Sequence, residues 1–85
     1  MKRQIYEPVE LIAKRFGFFP AVFGWRGQEF QVEAVEECRL VVAGWLPPWR
    51  KEVRFRVRTP EGVFELAQDT RRNLWHICAP ASAIP

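Results

Sequence analysis

Val53-Arg54-Phe55-Arg56-Val57-Arg58-Thr59-Pro60-Glu61-Gly62-Val63-Phe64-Glu65-Leu66-Ala67-Gln68 is the stretch from which the rest of the chain can be read. Val53, Phe55 and Val57 alternate with Arg54, Arg56 and Arg58. A period of two marks a strand with one buried face. Thr59-Pro60-Glu61-Gly62 follows. Proline presets φ there and glycine takes positive φ at no steric cost, so a turn is expected. Val63–Gln68 then resumes as a second strand. A hairpin of this kind needs further strands beside it to bury its apolar face.

Working outward, Asp69-Thr70-Arg71-Arg72-Asn73 makes the next turn and Leu74–Cys78 the next strand. Upstream, Val9, Leu11 and Ala13 alternate with Glu10, Ile12 and Lys14. Phe16-Gly17-Phe18-Phe19-Pro20 is a turn, and Ala21, Phe23 and Trp25 share one face of a strand that ends in a tight turn at Arg26-Gly27. The segment Gln28–Val42 puts Phe30, Val32, Ala34, Cys38, Leu40 and Val42 on one face. Glu29, Gln31, Glu33, Glu37 and Arg39 fall on the other. Straight, it would span about 50 Å, longer than strands usually run. Three resolutions stand open: a bulge near Ala34-Val35-Glu36, a break into two strands, or a short helix over Glu33–Arg39. The expectation is an all-β, antiparallel meander of about six strands, forming a bent sheet, an open barrel or a two-sheet roll. Residues 1–79 make one domain and residues 80–85 a loosely ordered tail.

A chain of 85 residues has room for one domain and little else. It holds one His (His76), one Ser (Ser82), one Asp (Asp69) and one Tyr (Tyr6). Acid–base and nucleophilic chemistry draws on such groups held in contact. No catalytic set emerges, so the chain reads as a non-enzyme. His76, Cys38 and Cys78 fall short of the four ligands of a structural zinc site, so no metal and no cofactor are expected. Two cysteines are too few for a secreted disulfide scaffold, and both thiols read as small buried hydrophobes of a reduced, cytoplasmic protein. No run of about 20 apolar residues exists to cross a membrane. Ten Arg against three Lys fit either a hot-living bacterium or a GC-rich genome.

Charge carries the functional expectation. Trp49–Arg58 holds five positive charges and one Glu, a net +4 in a chain of net +3. Everything outside this block therefore sums to −1. Arg54, Arg56 and Arg58 repeat about every 6.6 Å along a strand, close to the spacing of phosphates along a nucleic acid. Arg50, Lys51, Arg54, Arg56 and Arg58 are the candidates for phosphate contacts, with Trp49 and Trp45 placed to stack on bases. The partner would be a DNA or RNA backbone. The competing reading pairs the arginines with the acidic strand: Glu37 opposite Arg54, Arg56 or Arg58, Glu33 against Arg58, and Glu29 on the same stripe. Trp45-Leu46-Pro47-Pro48-Trp49 is either a contact surface or a lid over an open barrel end. A protein-interaction or homodimerisation module with no nucleic-acid contact is the alternative function.

Tyr6-Glu7-Pro8-Val9-Glu10, then Trp25-Arg26-Gly27 with Phe30 and Val32, then Phe55-Arg56-Val57-Arg58, then Gly62-Val63-Phe64-Glu65-Leu66 with Asp69 and Trp75, form an ordered set over residues 5–78. It resembles a family of small bacterial all-β domains found alone or beside error-prone, Y-family polymerase-like proteins of a mutagenesis cassette. The resemblance implies a DNA-repair setting and a polymerase-like partner, and it carries no catalytic residues. The chain departs from that pattern at Gln28-Glu29, where basic residues are expected.

Overall fold

The computed structural model describes residues 4–43 and 50–80. Seven strands account for nearly all of them: β1 (Gln4–Arg15), β2 (Phe19–Trp25), β3 (Gln28–Gln31), β4 (Ala34–Ala43), β5 (Arg50–Thr59), β6 (Gly62–Asp69) and β7 (Leu74–Pro80). They form one sheet in the order β3-β2-β1-β7-β6-β5-β4, with every pair antiparallel. The sheet is curled into a half-barrel.

There are seven strands rather than six because Gln28–Val42 divides. β3 ends at Gln31 and β4 begins at Ala34. A bulge also shifts the β4–β5 register between Val35 and Glu37. Glu33–Arg39 is not helical: Ala34 onward pairs residue by residue with β5. Helix propensity favours Glu and Ala by only tenths of a kcal/mol, less than a run of ladder bonds and burial supplies. The bulge also corrects the face assignment. Val35 lies opposite the buried Val57, while Ala34 lies opposite the exposed Arg58.

The hairpins follow the local chemistry. Arg26 and Gly27 have φ of 52° and 76°, and Phe16 and Gly17 have 57° and 69°. Positive φ at both residues gives the twist that matches the flanking strands, in a two-residue connection at Arg26-Gly27 and a three-residue one at Phe16–Phe18. Phe19 and Pro20 belong to β2 rather than to the turn. The Asp69 carboxylate accepts the backbone N–H groups of Arg71 and Arg72 at 3.0 and 3.2 Å and holds the β6–β7 turn.

Closure of the curl depends on β1. Its first half, Gln4–Val9, pairs with β7, and its second half, Glu10–Arg15, pairs with β2. Two register shifts in β1, flanking Ala13, bend it. The core fills the concave side with Phe23, Trp25, Phe30, Val32, Phe55, Val57, Phe64, Leu66, Trp75 and Ile77. At one end the curl is tied. The link between the two edge strands donates Val32 N–H to Ala21 O at 2.8 Å and Glu33 N–H to Arg58 O at 2.7 Å. Phe23, Phe30 and Phe64 pack there ring on ring.

Candidate functional site

Two surfaces come out of this sheet, one charged and one apolar. On the convex face, alternation in β5 turns Arg54, Arg56 and Arg58 away from the buried Phe55 and Val57, as the period of two requires. They do not stand bare. Arg54 donates to Glu65 at 3.0 Å and to Glu52 at 3.1 Å. Arg58 reaches Glu36 at 3.4 Å and Glu33 at 3.9 Å. Arg39 of β4 pairs with Glu37 and, at 3.2 Å, with Glu65. Glu52 is fully buried and also accepts the Tyr6 hydroxyl at 2.6 Å. Tyr6 in turn stacks on His76 at 4.3 Å between ring centroids.

The expected neutralisation is therefore present with a changed cast. Glu37 does lie opposite Arg56, yet its carboxylate goes to Arg39. Glu29 takes no part, because β3 is the opposite edge of the sheet from β4. Glu36, Glu52 and Glu65 carry most of the pairing, and none stood out in the sequence. Glu52 and Glu65 sit on β5 and β6 at positions that the hairpin register alone would have brought beside Arg54 and Arg56. Arg56 is exposed and makes no ion pair among the described residues. Lys51 lies three positions before Arg54, an odd step that puts it out of phase with the stripe. It pairs with Val42 and alternates to the same side as Val53 and Phe55, so it does not join the arginines. Arg50 opens β5. Trp45 and Trp49, and with them the Trp-Pro-Pro-Trp contact surface or lid, lie outside the described residues.

The apolar surface lies at the lip of the concave face. Cross-strand register runs Cys38, Phe55, Leu66, Ile77 and Glu7 in one row, and Leu40, Val53, Gln68, Trp75 and Val9 in the next. The middle of the first row is core, and in the second Trp75 is core with Val53 and Val9 packed against it. The β4 end is not: Leu40 is 65% exposed and Val42 58% exposed, and Cys38 is exposed as well. This corrects the expectation that Cys38, Leu40 and Val42 are core and that both thiols are buried; only Cys78 is. The physical reason is position. β4 is the last strand of the sheet, and the tie at Val32-Glu33 closes the curl over its Ala34–Val35 end only.

Glu7, the far end of the first row, clamps the β2–β3 hairpin. Its carboxylate accepts Trp25 Nε1 at 2.9 Å and both Arg26 Nε and Nη2, at 3.0 and 2.7 Å. The Arg26 and Trp25 hydrogen bonds hold its pKa below the ordinary value of 4.5. Beyond Val9 and Trp75, β1 and β7 part, leaving a cleft of about 290 Å³ lined by Leu11, Lys14, Asn73, Leu74 and His76 among others. Among the described residues no group of three or more His, Cys, Asp or Glu could hold a metal ion, and no helix is long and apolar enough to cross a membrane.

Fold and surface together define a class: a small all-β domain, a curled antiparallel sheet with one long open edge. No family model, no curated protein and no solved structure matches the chain.

Proposed function

We propose that the chain is a protein-interaction module that takes an extended strand of a partner onto the β4 edge. The observation that carries this reading is Leu40 and Val42, 65% and 58% exposed on the outermost strand of the sheet. An edge strand presents unpaired N–H and C=O groups in a row. Added strands gain affinity from those groups and specificity from alternate side chains. Natural edges are usually blunted by charge, proline or shortness. The other edge, β3, is short at four residues. β4 has ten, and its residues Cys38, Leu40 and Val42 stay apolar on one side. Full burial of a Leu or Val stabilises by about 1.5–3 kcal/mol, so two such residues suffice for a measurable contact.

Displayed random heptapeptides selected on the immobilised protein test the reading. Enriched peptides should alternate apolar and polar residues, protect β4 amides from hydrogen exchange, and lose binding to the Leu40→Lys variant. Absence of enrichment, or peptides indifferent to Leu40→Lys, would overturn it.

A second reading has one observation in its favour. Arg56 is exposed with no ion pair among the described residues, so the nucleic-acid face reduces to a patch centred on it. Titration of labelled single- and double-stranded DNA at two salt concentrations tests it. Under this reading binding weakens as salt rises and again on Arg56→Glu. No binding at low salt removes it.

A further inference from the structure

We infer that the strand added to β4 belongs to a second copy of this chain, paired antiparallel about a two-fold axis at Leu40. This rests on the edge-docking reading and names the partner.

The regular part of β4 is Glu37–Ala43. Its residues pair one for one with Arg56–Arg50 of β5, while the bulge at Glu36 interrupts the ladder on one side and the strand ends on the other. Seven residues remain, and Leu40 is the middle one. Two copies of a strand can meet antiparallel about a two-fold only where one residue faces itself. With Leu40 at that point, Leu40 meets Leu40, Cys38 meets the partner's Val42, and Val42 meets the partner's Cys38. The exposed apolar row reads the same in both directions, and every member of it gains an apolar neighbour.

Charge selects against an axis at Arg39, and ladder length against one at Val41, which would pair only Arg39–Ala43. An axis at Arg39 would set two arginines face to face, which is destabilising. An axis at Cys38 would put Glu37 opposite the partner's Arg39, but it would also carry the bulge into the ladder and leave Leu40 facing the partner's Glu36. Exposed ion pairs contribute little, whereas apolar burial contributes more, so the Leu40 register wins. In that register Arg39 faces the partner's Val41 and keeps its own Glu37 and Glu65. The convex faces carry Arg39, Arg54, Arg56 and Arg58 against Glu33, Glu36, Glu37, Glu52 and Glu65, so two copies approach without strong like-charge repulsion. The result is one continuous sheet running through both copies.

Sedimentation equilibrium on the full chain, with Cys38 as a built-in ruler, tests this. In the Leu40 register the two Cys38 Cα atoms stand four residues apart along adjacent strands, about 14 Å. A dimer is expected at micromolar concentrations. Leu40→Lys should raise its dissociation constant at least tenfold with an unchanged far-UV spectrum, and Val42→Lys should act the same way. A bismaleimide spanning about 13 Å should link the copies through Cys38, with Cys38→Ser abolishing the link, while mild oxidant should not join them directly. A ready Cys38–Cys38 disulfide, or dimers indifferent to both lysine variants, overturns the register. A monomer at every concentration that still binds the selected peptides overturns the second copy alone. A monomer that binds none overturns the docking reading with it.

Discussion

Glu7 joins parts of the chain that nothing else at its position connects. It stands on β1 opposite Ile77 of β7, and its carboxylate holds the side chains of Trp25 and Arg26 at the tip of the β2–β3 hairpin. Those bonds, Arg26's first, lower its pKa from 4.5. A carboxylate with a depressed folded pKa contributes stability that is whole above the unfolded value and is lost as pH falls through the folded one. Glu7→Gln should therefore lower the melting temperature near pH 7, and the gap between variant and parent should narrow as pH drops below about 4.5. Melting curves from pH 3 to 7 check this; a gap constant with pH refutes it. Glu52 is the other residue of this kind, a buried acid held by Tyr6 and Arg54. In the sequence Glu7 and Glu52 looked like any other glutamates. Glu7 is singled out by residues across a neighbouring strand, which spacing along the chain does not encode; Glu52 stands two residues from Arg54 on β5, and only its Tyr6 partner comes from β1.

At the scale of elements, the turns were legible and the edge was not. Arg26-Gly27 makes a tight turn as read, because a two-residue connection needs positive φ and glycine supplies it. The β1–β2 turn solves the same problem less well. Phe16 holds φ of 57° and is 89% exposed. A bulky residue there is strained, whereas Asn tolerates this conformation. Phe16→Asn should raise stability by about 0.5–1 kcal/mol in urea titration; an unchanged or lower midpoint would show that the ring has a contact worth more than the strain. The division of Gln28–Val42 was foreseeable from its length, and both a break and a bulge occur. The fate of its apolar face was not. Phe30 and Val32 are buried while Leu40 and Val42 are exposed, though all four follow the same alternation. Periodicity says which residues share a face, and only strand order says whether anything lies over that face.

At the scale of the molecule, the decisive contact is between β1 and β7, the two ends of the chain. Tyr6 pairs with Cys78 and Glu7 with Ile77. The remaining neighbours are sequential hairpins, but this one closes a loop of some 70 residues, and such pairing slows folding. Folding should be a single cooperative step on the millisecond-to-second scale. Ile77→Ala, which empties a fully buried site in the central row, should cost about 2–5 kcal/mol. Stopped-flow fluorescence with denaturant titration measures both, and a microsecond phase carrying the whole amplitude would contradict the first. The sequence alone determined that the chain is all-β, where most strands and turns fall, and that an arginine stripe shares one face of β5. These follow from local rules: the two-residue period, glycine at positive φ, and proline outside ladders. The tertiary structure alone decided that β3 and β4 lie at opposite edges, that Glu29 is thereby kept away from the arginines, and that Leu40 and Val42 face outward. Each of these depends on which strands become neighbours, and that is set by closing β1 on β7, an interaction between residues far apart in the chain.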